Sequence, residues 1–178
     1  MPENVEIERR FLVDGRFERP WVHESTTCIE IKQWYLDHKK FNVSIEHNAV
    51  MYKNKQLVSG LSEEVCSTLL QEPEWAVRIR KSHSAYFLTL KGSRKGASAA
   101  EFEWEIERNT AESVVDDLLY PFVEKKRYLW TNTDGFVWEI DEFESNLAGL
   151  IIAEVELEDE DVMVCLLYTS PSPRDRYI

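Results

Sequence analysis

The chain has 178 residues, of which 43% are hydrophobic and 30% are charged, a balance that predicts one folded domain and excludes an intrinsically disordered chain. Its 33 acidic and 21 basic residues give a formal net charge of -12, which opposes binding to nucleic acid or to an anionic membrane. Three widely spaced cysteines exclude a disulfide framework, and without an apolar run of membrane-spanning length we expect a cytoplasmic protein.

Eight segments alternate between apolar and polar residues, the pattern typical of β-strands with one buried face. They are Asn4 to Val13, Thr27 to Leu36, Trp75 to Lys81, Ser84 to Lys91, Ala99 to Glu107, Glu124 to Thr131, Gly135 to Asp141 and Gly149 to Glu158. Because short turn-forming sequences such as Ser82-His83 separate several of them, we predict a mostly β protein whose neighbouring strands are antiparallel.

Two segments have the pattern of amphipathic helices. Ser62 to Gln71 begins with a capping serine, and Thr110 to Tyr120 begins with a capping threonine and ends before Pro121. The buried stripe predicted for the second helix consists of Val114, Val115, Leu118 and Leu119. The polar segment 39–60 predicts an extended loop or a weak hairpin.

The last fourteen residues, 165–178, break with the alternation that precedes them. Their sequence resembles translated sequencing-adapter read-through, so we expect a tail that is foreign to the natural protein. The predicted domain therefore comprises residues 1–164.

Charged side chains recur at every second position on six predicted strands, so that on each strand they share one face. A solvated sheet tends to mix charges of opposite sign, whereas here whole strands carry one sign. Two carboxylates about 4 Å apart repel each other by roughly 4 kcal/mol at an effective dielectric constant near 20. Raised pKa values, neighbouring basic strands or divalent cations are the candidates for neutralising them.

The charge rows suggest a site that binds phosphate and metal. Mg²⁺ and Mn²⁺ prefer oxygen ligands and commonly link carboxylates to phosphates. One arginine can donate two parallel hydrogen bonds to the oxygens of a phosphate group. A closed eight-stranded sheet fits this arrangement, with the charges inward and residues such as Trp104, Trp138 and Ile140 outward. The alternative is an acidic interaction domain, an ordinary sandwich whose charge rows face solvent.

The ordered set of motifs resembles the CYTH family of triphosphate tunnel metalloenzymes. Glu6-Ile-Glu-Arg-Arg10 is similar to the Glu-x-Glu-x-Lys opening strand of that family, with arginine in the place of lysine. The later motifs are Val77-Arg-Ile-Arg80, Phe87-Leu-Thr-Leu-Lys91-Gly, Glu101-Phe-Glu-Trp-Glu-Ile106, Glu124-Lys-Lys-Arg127-Tyr, Trp138-Glu-Ile-Asp141-Glu-Phe and Gly149-Leu-Ile-Ile-Ala-Glu154-Val-Glu156-Leu. The resemblance covers most of residues 4–158, with 39–72 as an insertion.

The resemblance implies an α+β, mostly β fold: an eight-stranded antiparallel β-barrel tunnel with peripheral helices that binds a triphosphate with Mg²⁺ or Mn²⁺. The implied catalytic residues are Glu6, Glu8, Arg10 and Arg127, and the implied metal ligands are Glu6, Glu8, Asp141, Glu154 and Glu156. The implied substrate-binding residues are Arg10, Arg78, Arg80, Lys91, Lys125 and Arg127. An acidic row of the tunnel consists of Glu101, Glu103 and Glu105.

The function that follows is metal-dependent hydrolysis of a small-molecule triphosphate, with inorganic triphosphate, which yields diphosphate and phosphate, as the leading substrate. Thiamine triphosphate hydrolysis and cyclisation of ATP to cyclic AMP are alternatives on the same scaffold. A non-catalytic module that binds polyphosphate or a nucleotide is the alternative from another class. We expect no nucleic-acid or membrane partner, and a monomer or a homodimer.

Overall fold

The structure is a computed structural model that describes residues 5–16, 18–133 and 135–164. Within these ranges the strands are β1 Val5–Leu12, β2 Thr27–Leu36, β3 Phe41–Ser44, β4 Ala49–Tyr52, β5 Lys55–Val58, β6 Ala76–Ser82, β7 Ala85–Lys91, β8 Ser98–Ile106, β9 Phe122–Thr131, β10 Val137–Phe143 and β11 Ile151–Glu156. The α-helices are α1 Trp21–Glu24, α2 Glu63–Gln71 and α3 Arg108–Glu112. The tail 165–178 lies outside the described residues.

Eight strands form a closed antiparallel barrel in the order β1, β11, β10, β9, β2, β6, β7, β8. They are the eight segments predicted from the alternation of the sequence, with ends that differ by no more than about two residues. The predicted barrel is therefore confirmed. Closure pairs every strand on both edges, which is how a barrel protects backbone groups that an open sheet would expose.

The contacts divide the chain into two compact units, each with its own apolar core. Among the described residues, unit 1 comprises Val5, Gln33–Lys95 and Ala99–Phe122, and unit 2 comprises those within Glu6–Lys32, Gly96–Ser98 and 123–164. The core of unit 1 includes Trp34, Tyr52, Ile79, Leu88 and Phe102. The core of unit 2 includes Trp21, Trp130, Trp138, Ile140 and Val155.

The strands of unit 2 separate an apolar face from a charged face. Trp138 and Ile140 of β10 are fully buried in the core, whereas Glu139 and Asp141 occupy the alternate positions. Full burial of one large apolar side chain contributes roughly 1.5–3 kcal/mol, so this core holds the charged face in place. The apolar face predicted from the sequence is thus confirmed for these residues.

The segment 39–60 contains a three-stranded antiparallel sheet, β3-β4-β5, rather than a loop. Two tight turns make this possible, because Asn48 and Lys53 have positive φ values of 46° and 54°. Val50 and Tyr52 of β4 are fully buried in the core of unit 1. The weak-hairpin interpretation was therefore nearer to the structure than the loop, but it missed one strand.

Helix α2 confirms the prediction for Ser62 to Gln71. The Ser62 hydroxyl oxygen accepts a hydrogen bond from the Val65 backbone N–H at 3.2 Å, which is the geometry of an N-cap. The short helix α1, which buries Trp21, had no predicted counterpart. None of the helices in the described ranges is both long enough and apolar enough to span a bilayer.

The helix predicted for Thr110 to Tyr120 is wrong in its extent, although Val114 and Val115 of its predicted buried stripe do pack in the core of unit 1. Helix α3 begins at Arg108 and ends at Glu112, and Leu118 and Leu119 of the predicted buried stripe are 94% and 67% exposed. The Asp116 carboxylate accepts the Leu118 backbone N–H at 2.8 Å, so that a local turn replaces the next helical hydrogen bonds.

Two tertiary contacts further stabilise this turn. Trp34 Nε1 donates a hydrogen bond of 2.7 Å to Asp117, and the hydroxyl groups of Tyr52 and Tyr120 are 3.2 Å apart. Both contacts lie inside unit 1. They place Tyr120 in the core of unit 1 and hold the exposed Asp117 beside Trp34, whereas Leu118 and Leu119 between them face solvent.

Candidate functional site

The charged face of unit 2 carries a network that we call the Arg127 cluster. It draws its members from β1, β9, β10 and β11, which are neighbours in the barrel. Its members are Glu8, Arg10, Lys125, Arg127, Glu139, Asp141 and Glu154. Alternation along each strand points these side chains to the face opposite the apolar core.

Asp141 lies at the centre of the Arg127 cluster and is 2% exposed. Arg127 is its register partner on β9 and donates two hydrogen bonds of 2.7 Å, one to each carboxylate oxygen. Lys125 forms an ion pair with the same carboxylate. Burial opposes ionisation of Asp141, but the hydrogen bonds from Arg127 and the charge of Lys125 outweigh it and lower the pKa of Asp141.

Burial and the neighbouring charge of Arg127 lower the pKa of Lys125, although Asp141 acts in the opposite direction. Burial also disfavours the charged form of Arg127, but Asp141, Glu139 and Glu154 outweigh it and raise the pKa of Arg127. The arginine is therefore a permanent cation in this cluster, and the lysine is the more easily deprotonated of the two.

Glu139 and Glu154 are register partners on β10 and β11. Arg127 forms an ion pair with Glu139 and donates a hydrogen bond of 3.2 Å to Glu154. Burial and the charges of Glu154 and Asp141 raise the pKa of Glu139, although Arg127 opposes the shift. Two carboxylates thus lie side by side, and their repulsion is only partly relieved by the cation that they share.

Arg10 lies between two other carboxylates of the Arg127 cluster. Its Nε donates to Glu154 at 2.5 Å, and its Nη2 lies 3.3 Å from Glu8, which is 6% exposed. Burial lowers the pKa of Arg10, but Glu154 and Glu8 raise it by more. The carboxylates of Glu8 and Glu154 therefore create a position that favours a positive charge.

Carboxylate oxygens are the ligands that Mg²⁺ and Mn²⁺ prefer, so the donor chemistry of the Arg127 cluster fits a divalent cation. Within the described ranges, however, no three His, Cys, Asp or Glu side chains are grouped so as to hold a metal ion. The carboxylates of the cluster contact cationic side chains instead: Asp141 contacts Lys125 and Arg127, and Glu154 contacts Arg10 and Arg127.

The charged face of β6, β7 and β8 in unit 1 carries a second network, the Arg80 cluster, which consists of Arg78, Arg80, Thr89, Lys91, Glu101 and Glu103. Arg80 donates to Glu103 at 2.6 Å. Arg78 lies 3.6 Å and Lys91 lies 3.0 Å from Glu101. Glu101 and Glu103 of the acidic row predicted on β8 thus neutralise Arg78, Arg80 and Lys91 of β6 and β7.

The two arginines of the Arg80 cluster can each donate a further hydrogen bond from Nε. The Nε atoms of Arg78 and Arg80 are buried and have no hydrogen-bond partner among the described residues. The Arg80 guanidinium also lies 5.0 Å from the centre of the Phe87 ring, which supports one of its faces. A buried donor without an acceptor is unfavourable, so these N–H groups are well suited to an anionic ligand.

The structure joins most of the predicted site residues within one or the other cluster. Glu6 is half-buried on the same face of β1 as Glu8, whereas Glu105 and Glu156 are exposed on the strands where they were predicted. Glu139 was not among the predicted site residues, although its position two residues before Asp141 was a usable signal. Thr89 had no signal, because threonine is common in ordinary strands.

Comparisons with known proteins agree with the fold. The chain is 40% identical over 89 residues to an inorganic triphosphatase of Acetivibrio thermocellus, across 49% of this chain and 56% of that protein. It is 36% identical over 85 residues to an inorganic triphosphatase of Nitrosomonas europaea, across 48% of this chain and 56% of that protein. The matches thus span about half the length of these curated relatives.

A crystal structure of an inorganic triphosphatase is similar with a TM-score of 0.52 and 24% sequence identity, covering 92% of this chain and 83% of that one. That likeness supports the barrel fold. The model of the CYTH domain matches residues 70–162, which contain both the Arg80 cluster and most of the Arg127 cluster. The match extends over more than half of the chain, and the chain therefore belongs to the CYTH domain family.

Proposed function

We propose that this chain hydrolyses inorganic triphosphate to diphosphate and phosphate with the help of Mg²⁺ or Mn²⁺. The observation that carries the proposal is the pair of buried Nε–H donors of Arg78 and Arg80, which have no acceptor among the described residues. Guanidinium groups match the geometry of phosphate oxygens, and a triphosphate is the ligand class that needs several such donors. The two triphosphatase relatives support the same substrate class.

The reaction transfers a phosphoryl group to water. The oxygen of water forms a bond to a terminal phosphorus, the P–O bond to the diphosphate breaks, and the proton of water is released to solvent. Because phosphoryl transfer depends mainly on positioning and charge stabilisation, fixed cations can supply much of the catalysis without a covalent intermediate. In this proposal Arg78, Arg80 and Lys91 bind phosphate oxygens.

The Arg127 cluster supplies the second part of the proposal. Glu6, Glu8, Asp141, Glu154 and Glu156 are the proposed metal ligands. Glu8 and Glu154 are the best supported of these ligands. Arg10 contacts both carboxylates, so the position between them already favours a positive charge. A bound divalent cation supplies Lewis-acid polarisation of phosphate oxygens. Arg10, Lys125 and Arg127 are proposed to bind phosphate, and Glu6, Glu8, Arg10 and Arg127 to act in catalysis.

The test is phosphate release from inorganic triphosphate by the purified chain, with Mg²⁺, with Mn²⁺ and with a chelator. We expect metal-dependent release of one phosphate and one diphosphate. Thiamine triphosphate and ATP are assayed in parallel, with product identification, since preferential turnover of either would replace inorganic triphosphate as the substrate. Binding of triphosphate without turnover would instead indicate the non-catalytic binding module, and neither binding nor turnover would indicate the acidic interaction domain.

One pair of variants connects this assay to the structure. In the Arg80→Gln variant we expect the KM for triphosphate to rise about tenfold or more, because a hydrogen bond to a charged group is lost. Arg108→Gln is the matched control, since Arg108 is an exposed arginine of unit 1 that donates to the Ser84 carbonyl. An Arg80→Gln variant with the KM of the parent would contradict the assignment. Cytoplasmic location and a monomeric or homodimeric state stay predictions.

A further inference from the structure

Thr89 is a buried polar residue at the centre of β7 that the proposed chemistry leaves without a role. It is 2% exposed, and its register partners are Arg78 on β6 and Glu103 on β8. A threonine at this position would ordinarily be explained by its preference for strands. Its hydroxyl group, however, donates a hydrogen bond to Glu103, the carboxylate that also accepts a hydrogen bond from Arg80.

The two oxygens of the Glu103 carboxylate have different partners. Thr89 Oγ1 donates to Oε2 at 2.9 Å, and Arg80 Nη2 donates to Oε1 at 2.6 Å. Arg80 Nε, which is buried, has no hydrogen-bond partner within the described ranges. Arginine–carboxylate pairs are frequently bidentate, so a Glu103 carboxylate with both oxygens available would be expected to bind Nε as well.

We propose that Thr89 is a positioning residue that keeps one oxygen of Glu103 away from Arg80, so that the Arg80 Nε–H remains available to a phosphate oxygen. The inference rests on the proposed function, because it concerns how the same arginine meets the same anion. Thr89 acts through Glu103 and touches no phosphate itself. Its loss should weaken triphosphate binding and leave the chemical step nearly unchanged.

The first test compares Thr89→Val, which removes the hydroxyl and keeps the branched shape, with Thr89→Ser, which keeps the hydroxyl. For Thr89→Val we expect the KM for triphosphate to rise roughly three- to tenfold at similar kcat. The reason is that phosphate must then displace one hydrogen bond, the one from the Arg80 Nε–H to Glu103. Thr89→Ser should restore the KM of the parent. Equal losses in the two variants would indicate packing rather than hydrogen bonding, and an unchanged KM in Thr89→Val would overturn the proposal.

A double-mutant cycle asks whether Thr89 acts through Glu103. In a Glu103→Ala background, Thr89→Val should have no further effect on the KM, because no side-chain acceptor remains at position 103 to compete for the Arg80 Nε–H. An effect as large as in the parent would overturn the proposal. If Thr89→Val does not fold, as judged by its thermal unfolding, Thr89→Ala takes its place in both tests.

A spectroscopic measurement separates this inference from the proposed function. The Arg80 Nε–Hε resonance, assigned by comparison with Arg80→Lys, should move downfield in Thr89→Val as Hε gains Glu103 as an acceptor, and should return in Thr89→Ser. This readout needs neither substrate nor turnover. A parent that neither binds nor hydrolyses triphosphate defeats the proposed function, whereas an unmoved Hε resonance in Thr89→Val defeats the role of Thr89.

Discussion

Arg127 and Asp141 face each other across β9 and β10, and two hydrogen bonds of 2.7 Å join the guanidinium to both oxygens of the carboxylate. Lys125 contacts the same carboxylate, so that one buried anion is held by two cations. Removing buried charges from water costs several kcal/mol per ion, and the mutual attraction offsets this cost only while every partner is present. The three side chains therefore behave as a unit.

The first prediction concerns the stability of that unit. Asp141→Asn removes the counter-ion of the buried Lys125, while Arg127 keeps Glu139 and Glu154, and we expect the free energy of unfolding to fall by about 3–5 kcal/mol. Urea unfolding measures the change. Glu144→Gln is the matched control, because the ion pair of Glu144 with Lys126 is exposed and should contribute far less. Equal stabilities of Asp141→Asn and the parent would contradict the prediction.

The second prediction concerns acid unfolding. The pKa of Asp141 in the folded protein lies below its ordinary value of 3.8, so as the pH falls the unfolded chain takes up the proton first. The contribution of Asp141 to stability is therefore complete above its ordinary pKa and is lost as the pH falls through the lower folded-state pKa. Between pH 5 and 2, about the range of such titrations, the unfolding free energy should fall less steeply in Asp141→Asn than in the parent. The unfolding free energies of the parent and of Asp141→Asn are measured against pH with a chelator present. Parallel curves for the two proteins would refute the prediction.

The third prediction concerns the carboxylate that Arg10 and Arg127 share. Glu154→Gln should reduce triphosphate hydrolysis at least tenfold at saturating Mg²⁺, since loss of even a supporting group at a metal site typically costs about 10–100-fold. The same variant should need a higher Mg²⁺ concentration for half-maximal rate. Initial rates across a Mg²⁺ titration provide the measurement, with Glu144→Gln again as the control. Parent-like rates would remove Glu154 from the proposed ligands.

The fourth prediction concerns Glu160, which follows β11 in unit 2. Its carboxylate accepts the Ser98 hydroxyl at 2.6 Å, and its backbone carbonyl accepts the Arg9 guanidinium at 2.7 Å. We expect Glu160→Ala and Ser98→Ala each to lower the unfolding free energy by about 0.5–1.5 kcal/mol, the typical value of one hydrogen bond. The double variant should lose little more than either single variant.

Glu158→Ala is the matched control for this measurement, because Glu158 is an exposed carboxylate two residues away on the same segment. If the losses of the single variants add fully in the double variant, Glu160 and Ser98 do not act together, and the hydrogen bond between them is not the cause.

The helix predicted between Thr110 and Tyr120 illustrates where the sequence misleads. Its apolar spacing is that of a helix, but Asp116 forms a turn with the backbone of Leu118, and Asp117 and Tyr120 bind partners in unit 1. Local turn chemistry and tertiary contacts outweighed helix propensity, which is only a weak preference. The consecutive residues Asp116 and Asp117 indicate such a turn, because aspartate side chains accept hydrogen bonds from nearby backbone N–H groups. The sheet β3-β4-β5 was missed for a related reason, because its four-residue strands are too short to show a clear alternation.

The sequence by itself determined which residues form the barrel strands and which of their side chains share a charged face. Alternation along a strand is a local property, so Glu139 and Asp141 could be assigned to one face before any partner strand was known. The tertiary structure alone decided which charges pair, since Glu154 meets both Glu139 and Arg10 only through the registers of β11 with β10 and with β1. Register is set by packing between residues distant in the chain, and alternation within one strand carries no information about it.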